Sequence, residues 1–538
     1  MSKASKGILA IFGLLTVVGG ALFATDGPLW VRTHDGAGHG DDQVCAVLTD
    51  GARNVIVVGT VLGTGSAYDI VVLKYSPAGD SIWAQTIAGS GTSKEIAVAA
   101  AIDARGAVYL TGTTGSYPDY NILTVKLNPD GSEAWRASYQ GPAGNTDSPT
   151  ALALDDSGNV YVTGYEKNAA NVEDYVTIKY DASGGQVWRQ NYDGGAADVS
   201  RAIALGADGA VYVVGSSLQG GNIDDILTVK YSANGTQEWA NFYGSDSTPE
   251  LGVGVTADNS GVYVVAQGTT RPLPAPYKMI VLKYAPNGSQ LWTKSYTGAN
   301  RGVEPVGVVV NSSGLYVTGT VTQPSNTDIY TVAYHTGTGD TLWLRVFNDP
   351  ANRNDVGAGL LVDGQGRVHI VGSAQNAAGN SDYCRLRYSP TGTLQGAGFY
   401  NSTYNNDDKG LGIAIDAHQE VVITGLTYGG SPIMTYDITT VKYDSAVPGI
   451  SEIRPSPARS QSKIRLQPNP ARGSVRIELN GADGVIRLWS VSGALGQERE
   501  IPGGLTGYRL SLRGVTPGVY IVEVKTGSLH RWAKLLVE

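Results

Sequence analysis

"DYVTIKYDASGGQVWRQNYDG", residues 174–194, combines an apolar strand-like run, a glycine turn and a single tryptophan. Nearly the same phrase occurs as DIVVLKYSPAGDSIWAQTIAG at 69–89 and as DDILTVKYSANGTQEWANFYG at 224–244. A unit that returns in register along a chain indicates an array of identical supersecondary structures. The fold therefore depends on what one unit builds and how many units there are.

The tryptophans give the period of the repeat. They recur every 51 to 53 residues, with Gln395 in the eighth place, at Trp30, Trp83, Trp135, Trp188, Trp239, Trp292 and Trp343. Each unit contains four strand-like runs, as in TALALD, NVYVTGY, DYVTIKY and QVWRQNY, and four antiparallel strands form a propeller blade. Because a core needs the same rings in every blade, the recurring Trp and Tyr side chains are predicted to pack between blades.

The two ends of the array predict how the ring closes. The strand around Trp30 precedes every other strand of its blade, whereas the last unit, 411–443, has three strands and no Trp strand after them. The numbers match if the N-terminal strand completes the last blade, which also removes the exposed sheet edges. The prediction is an eight-bladed β-propeller over residues 25–443.

Composition agrees with an all-β chain: 538 residues hold 72 glycines and 16% charged residues. Two cysteines, Cys45 and Cys384, are too few for a disulfide framework. Lys3 and Lys6 precede the apolar run GILAIFGLLTVVGGALFA, which predicts a signal peptide over residues 1–24, with an uncleaved anchor as the alternative. No later stretch reaches transmembrane length, so no span is expected in the mature chain.

Charge separates two parts of the chain. Residues 25–443 hold 24 Lys and Arg against 40 Asp and Glu, a net of −16, whereas residues 464–538 hold 10 against 6, a net of +4. A region with this negative charge repels nucleic acid and anionic lipid, which argues against both as partners. Cations or neutral molecules are the expected ligands.

A second domain follows residues 444–463, whose Pro and Ser content and lack of alternation predict a linker. In residues 464–538 the runs VRIELNG, VIRLWSVSG, YRLSLRG, GVYIVEVKTG and RWAKLLVE alternate apolar and polar residues between glycine turns. This pattern predicts a small immunoglobulin-like β-sandwich.

Two resemblances follow from these motifs. The order of an Asp, a variable strand ending in Val-Lys-Tyr, a glycine turn, a Trp and GNVYVTG is similar to the bacterial β-propeller repeats called SBBP, over about residues 28–443. Near the C-terminus, SVSG at 490–493, the closing KLLVE and six further residues resemble the type IX secretion sorting domain. Those six residues are Pro468, Asn469, Pro470, Gly518, Val519 and Tyr520.

The second resemblance implies a route for the protein. It would cross the inner membrane by its signal peptide, pass the periplasm, and engage the type IX secretion machinery to reach the medium or the outer cell surface of a bacterium. The alternative for this domain is a generic immunoglobulin-like carbohydrate-binding or cell-surface module. The propeller resemblance specifies the fold and not the function.

A ring of acids is predicted from the repeat. The residue that begins the first strand of each blade should lie at the mouth of the central channel, and it is always acidic: Asp42, Glu95, Asp147, Asp198, Glu250, Glu304, Asp355 and Asp408. The ring could bind a cation, with calcium the most suitable, or a basic partner. Alternatively, each carboxylate accepts backbone N–H groups and has a structural role.

Other chemistry is weakly indicated. The segment HDGAGHGDD crowds together His34, Asp35, His39, Asp41 and Asp42, which could ligate a metal, with His34, His39 and Asp41 as the candidates, although their spacing matches no established motif. No catalytic constellation or cofactor is predicted, so the function inferred is a non-catalytic surface protein that binds a protein or a glycan through the loops after the second strands. The alternative is a propeller enzyme. A quinoprotein dehydrogenase shares the Gly-x-x-x-Trp turn but needs an adjacent cysteine pair, and a glycosidase or lyase would use paired acids.

Overall fold

The structure, a computed structural model, describes fourteen segments of the chain. They are residues 28–64, 67–219, 223–244, 248–269, 277–298, 302–429, 435–444, 449–453, 466–467, 473–478, 484–490, 495–501, 507–526 and 529–537. The predicted signal peptide, residues 1–24, lies outside them. The chain divides into two units, Met1–Arg454 and Pro455–Glu538.

The first unit is the predicted eight-bladed propeller. Within the described residues it contains eight sheets, each built from four antiparallel strands, and the first strands of successive blades contact one another around the centre. The strands of blades one to four are Gln43–Thr49, Val55–Leu62, Tyr68–Tyr75 and Ser81–Ile87 (β2–β5); Ile96–Ile102, Val108–Ser116, Asp119–Leu127 and Glu133–Tyr139 (β6–β9); Ser148–Leu154, Val160–Lys167, Glu173–Tyr180 and Gln186–Tyr192 (β10–β13); Asp198–Leu205, Val211–Gln219, Ile223–Tyr231 and Gln237–Tyr243 (β14–β17).

Blades five to eight continue the same order, and the eighth takes its outer strand from the start of the chain. Their strands are Glu250–Asp258, Gly261–Thr269, Tyr277–Tyr284 and Gln290–Tyr296 (β18–β21); Val303–Asn311, Gly314–Thr322, Thr327–Tyr334 and Thr341–Phe347 (β22–β25); Asp355–Val362, Val368–Gln375, Ser381–Tyr388 and Leu394–Tyr400 (β26–β29); Asp408–Ile415, Val421–Tyr428, Tyr436–Tyr443 (β30–β32) and Trp30–His34 (β1).

Burial explains the composition of each strand. Second and third strands are covered on both faces by neighbouring blades, so they read as continuous apolar runs such as VIVVGTVL in β3, which is almost wholly buried. Fourth strands form the outer edge and alternate, as SIWAQTI does in β5.

The recurring Trp packs across the blade boundary, as predicted. Trp135 lies in the fourth strand of blade two. Its indole N–H donates to the carbonyl of Ala182, in the third-to-fourth strand turn of blade three, at 3.1 Å. Its ring lies against Gly184 of that turn, where a Cβ would stand 2.7 Å from Trp135 Cδ2. The same Trp-on-turn contact links each blade to the next at Gly79, Gly131, Gly184, Gly235, Gly288, Gly339 and Gly392.

Comparing Gly184→Ala with Gly195→Ala should distinguish the energy of this Trp contact from that of backbone strain. Gly184 has φ +89°, and so does Gly195, whose Cβ would have nothing within 4 Å. Gly195→Ala should therefore cost only the left-handed strain, about 1–2 kcal/mol, whereas Gly184→Ala should cost a further 1–3 kcal/mol or so for displacing Trp135. Urea unfolding measures both free energies; equal losses would contradict the packing role of the turn.

Ring closure follows the prediction. Strand β1 pairs antiparallel with β32 over five residues, from Trp30 opposite Lys442 to His34 opposite Ile438. Gln395 is explained by this closure. Every other blade places its Trp on a third-to-fourth strand turn of the next blade, but the eighth blade has no such turn, because its fourth strand comes from the other end of the chain.

The segment predicted as a linker contains a strand. Gly449–Ile453 (β33) pairs in parallel with β29, so the seventh blade has a fifth strand on its outer edge. The sequence pattern gave no sign of this strand because a five-residue strand added at an edge needs backbone pairing and no alternation of its own.

The second unit is a small β domain with its own core. Its strands are Leu466–Gln467 (β34), Ser474–Glu478 (β35), Gly484–Ser490 (β36), Leu495–Ile501 (β37), Gly507–Ser511 (β38), Gly518–Thr526 (β39) and Leu529–Val537 (β40). They form sheets in the orders β34-β35-β38 and β37-β36-β39-β40. Buried side chains from both sheets, among them Ile477, Leu488 and Leu535, form one apolar cluster, as in the predicted sandwich.

Candidate functional site: acidic junctions between blades

Seven of the eight predicted acids are buried. They are Asp42, Glu95, Asp147, Asp198, Glu250, Asp355 and Asp408. Six of them accept the backbone N–H of the link that leads into their own blade, donated by Gly36, Gly89, Gly141, Gly194, Asp349 and Ser402. These bonds support the structural role that the sequence left open as one alternative.

Glu304 requires a correction. It is exposed, and the position of the other acids is held in blade six by buried Val303. Strand register gives the reason: Asp198 pairs with Ser217, two residues beyond the strand-two glycine, and Val303 pairs with Val321 at the equivalent place, whereas Glu304 pairs with Thr320. Blade five has an equally short first-to-second strand turn and keeps Glu250 at this position, so the register selects Val303 in blade six, and Glu304 lies one residue further along.

Six of the seven buried acids are matched by an acid at one position of the preceding blade, whereas Asp147 is matched by Asn121. Asp42 interacts electrostatically with Asp437 of blade eight, and Asp174 of blade three interacts with Asp198 of blade four. The partners come from the start of the third strands, at Asp69, Asp174, Asp225, Asp328, Asp382 and Asp437. We call such a pair, together with the link between its two blades, an acidic junction. Convergence of the acids on one channel mouth stays a prediction.

Two junctions depart from the pairing. Between blades two and three Asn121 replaces the third-strand acid while Asp147 is kept. Between blades five and six the third-strand position holds Lys278 and the first-strand position holds Val303, so both carboxylates are missing together. Lys278 instead extends to Glu250 of its own blade, with Nζ 3.1 Å from Oε1. Two carboxylates in close contact are costly to keep ionised without a compensating charge.

Burial dominates the electrostatics of the junctions. It raises the pKa of Asp42 and of Asp408 to about 7 and that of Asp355 to about 8, and facing aspartates raise each further. The backbone N–H bonds act in the opposite direction. Burial likewise raises the pKa of Asp174 to about 6. These carboxyls therefore titrate close to neutral pH unless a cation compensates them.

Two acidic junctions gather three carboxylates each. Asp174, Asp193 and Asp198 place oxygens within 4.8 Å of one another, and so do Asp35, Asp42 and Asp437. In each set two acids come from neighbouring blades, and Asp193 or Asp35 comes from the link. The recurring third-strand Asp was visible in the sequence repeat, but nothing in one dimension placed it beside the next blade's first strand.

Among the described residues, His34, His39 and Asp41 do not belong to either group of three potential metal ligands. The exposed His39 lies with Nδ1 2.6 Å from Asp35 Oδ2, and burial lowers the pKa of His34. Asp41 accepts the N–H of Tyr436. Of the five predicted residues in HDGAGHGDD, the structure groups Asp35 and Asp42, together with Asp437.

The residues that an enzyme could use lie in different parts of the propeller. Cys45 lies in blade one and the buried Cys384 in blade seven, so the two do not form an adjacent pair. The Gly-x-x-x-Trp resemblance to quinoproteins corresponds to the blade-to-blade packing already described. His369 is buried with Nε2 2.9 Å from Asp363 Oδ2, where burial lowers its pKa to about 4.

Of the predicted sorting residues, Pro468, Asn469 and Pro470 lie outside the described residues. Gly518 and Val519 begin strand β39, opposite the C-terminal end of β40. The Tyr520 hydroxyl donates to the carbonyl of Thr516 at 2.9 Å and so closes the turn that leads into β39.

Comparison with family models gives the class of the protein. Residues 465–538 match the secretion system C-terminal sorting domain, and residues 137–165 match the beta-propeller repeat SBBP. The chain is thus a β-propeller repeat protein that carries a sorting domain for type IX secretion. It is an exported protein, secreted or displayed at the cell surface.

Individual relatives are distant. An uncharacterized WD repeat-containing protein, L264 of Acanthamoeba polyphaga mimivirus, is 23% identical over 308 residues, which are 56% of this chain and 17% of that protein. Chaetomium thermophilum Sqt1, solved bound to the N-terminus of ribosomal protein L10, is 11% identical with a TM-score of 0.48, covering 75% of this chain and 97% of that one.

A second solved structure is the polysaccharide lyase Uly1, 11% identical with a TM-score of 0.41 over 64% of this chain and 89% of that one. The beta-propeller domain of the Trilobed protease from Pyrococcus furiosus is 10% identical with a TM-score of 0.39, over 64% and 95%. At such distances these likenesses decide nothing about activity. In the part of the chain that the structure describes, no helix has the length and apolarity to span a membrane.

Proposed function

We propose that the protein is a non-catalytic binding protein, delivered outside the cell by its sorting domain, which holds a protein or glycan ligand on one face of the propeller. This loop face carries the loops between second and third strands and the links between blades. In a four-stranded blade these two connections lie on the same side of the ring.

The turns on the opposite face of the ring have nearly the same structure in most blades, which supports the assignment of the ligand to the loop face. Six third-to-fourth strand turns are closed by the same backbone bond between their first and fifth residues, as from Ser76 N to Asp80 O and from Asp181 N to Gly185 O. The second-to-third strand loops differ. Tyr117-Pro118 is a two-residue turn, whereas Asn168–Val172 is a closed five-residue loop. A rigid scaffold with variable loops on one side is typical of binding proteins.

Exposed tyrosines carry the proposal. Tyr117 is 85% exposed, Tyr404 60% and Tyr277 44%, and among the described residues these are the tyrosines most open to solvent. All three lie on or beside the loop face: Tyr117 in a second-to-third loop, Tyr404 in a link, and Tyr277 at the start of β20. Tyrosine provides a large, rigid contact area with a polar end, so it is enriched at interfaces.

Tyr117→Ser together with Tyr404→Ser should abolish ligand binding and leave stability unchanged. Loss of two anchor side chains costs about 2 kcal/mol each, which predicts a loss of affinity of several hundred-fold. The measurement is binding of the exported protein to a glycan array and to solubilised surface proteins, followed by titration of the positive probe. Ile82→Ser with Val187→Ser, which changes two exposed side chains on outer strands, is the matched control.

Two results would contradict the proposal. If both double variants bound the ligand equally well, the ligand-binding site would not lie on the loop face. Release of products from a polysaccharide offered to the exported protein would favour the propeller-enzyme alternative.

A further inference from the structure

We propose that the acidic junction of Asp174, Asp193 and Asp198, between blades three and four, binds a calcium ion, and that the junction of Asp35, Asp42 and Asp437 binds a second. Each ion would join the third strand of one blade to the first strand of the next. The sites are separate from the tyrosines of the proposed ligand face, so calcium would stabilise the scaffold.

Unsatisfied buried oxygens point to a ligand at the first junction. Asp174 and Asp198 are both more than nine-tenths buried, and Oδ1 of each has no hydrogen-bond partner among the described residues. Their Oδ2 atoms are satisfied, by the Asn168 amide and by the N–H of Gly194. A buried carboxylate oxygen without a donor is destabilising unless something unseen compensates it.

The same feature recurs at equivalent places. Asp42 in the second proposed site, and Asp355 and Asp408 in two further junctions, also keep Oδ1 without a partner while Oδ2 accepts the link N–H. Repetition at one structural position argues that the spare oxygen has a use. In each of these junctions the acid at the first strand has such an oxygen, and at the first junction Asp174 of the third strand has one as well.

The donor set selects the ion. All three donors at the first junction are carboxylates, without His or Cys, which suits a hard cation rather than zinc. Oxygens within 4.8 Å of one another can share one ion, and the exposed Asp193 leaves a route from solvent and room for water ligands. Calcium accepts irregular, partly hydrated oxygen sites, whereas magnesium demands near-octahedral geometry.

The cations near the first junction are paired with other acids: Arg189 with Glu166, and Lys167 with Glu173. Glu166 adds negative charge near Asp174. Burial raises the pKa of Asp198 and the Ser217 hydroxyl lowers it, and Asp198 also interacts electrostatically with Tyr175 and Tyr192. At the second site His39 is bonded to Asp35, so we expect that site to bind calcium more weakly.

The test measures calcium binding to the exported protein by equilibrium dialysis at pH 8 after chelator treatment. We expect at least two ions per chain, with affinities of about 10⁻⁴–10⁻³ M, as in other extracellular modules. Asp174→Asn with Asp198→Asn should lose one ion. Asp156→Asn with Asp208→Asn removes two exposed carboxylates from the same blades and should lose none.

Melting gives a second readout. Without calcium at pH 8 the Asp174→Asn, Asp198→Asn variant should melt at or above the parent temperature, because it no longer buries two charges, and calcium should raise its midpoint less than the parent's. If that variant fails to fold, Asp193→Asn at the exposed position should weaken calcium binding without changing calcium-free melting. A parent that binds no calcium, or a double variant that binds as much as its control, would overturn the proposal.

Discussion

Deleting residues 25–36 should leave a propeller that no longer unfolds cooperatively and that aggregates. The deletion removes β1, which pairs with β32 over five residues and covers its edge. It also removes Trp30, whose indole N–H donates to Pro77 O at 3.0 Å and whose ring covers Gly79 of blade one. Both the eighth blade and its contact with the first blade are therefore lost.

The size of this effect follows from two losses. Removing a buried Trp side chain costs about 3–5 kcal/mol, and five residues of strand pairing add a few more at about 0.5–1.5 kcal/mol per hydrogen bond. The sum approaches the whole stability of a typical domain, about 5–15 kcal/mol. The exposed edge of β32 then invites pairing between molecules.

Thermal melting and size-exclusion chromatography check this prediction. Trp30→Ala isolates the packing part and should lower the free energy of unfolding by about 3–5 kcal/mol. Leu29→Ala, at the exposed neighbouring position, should change it by less than about 0.5 kcal/mol. Cooperative melting of the deletion at the parent temperature would refute closure by the first strand.

Deleting residues 464–538 should stop the protein in the periplasm as a folded propeller. The propeller closes with strands from β1 to β33, and the C-terminal unit has its own apolar core, so neither needs the other to complete a sheet. The tail matches the sorting domain, and its loss therefore removes the signal for the outer membrane step. Cell fractionation and protease accessibility measure where the protein accumulates.

Point variants show whether the fold of the tail is needed. Leu488→Asp places a charge in the buried core of the domain and should abolish export as the deletion does. Arg513→Ala at an exposed turn is the control and should be exported normally. Normal surface delivery of the truncated protein would show that export does not depend on this domain.

The blade count, the four strands per blade and the closure could all be predicted from spacing. Each depends on a pattern that repeats within one unit, such as the Trp in the fourth strand and the turn glycine before it. Strand β33 and the place of Val303 could not be predicted. The first depends on backbone pairing at an edge, and the second on which residue pairs with Val321 of the neighbouring strand.

The candidate site shows the same division. The acid that begins each first strand, such as Asp198, was visible because it recurs in phase with the repeat. Its partner Asp174 also recurs, but the two lie on different blades, and their approach depends on how one blade packs on the next. Of the cluster predicted in HDGAGHGDD, Asp35 and Asp42 come together, but their third partner Asp437 lies far away in the sequence.

The sequence by itself determined the propeller, its eight blades, its closing strand and its sorting tail, because local periodicity and turn chemistry specify strands and count. Only the tertiary structure decided which carboxylates meet, why Gln395 stands where a Trp is missing, and which acids are buried. These properties arise at the boundaries between blades, where residues distant in sequence are brought together and excluded from water, so their charge depends on neighbours that no single repeat contains.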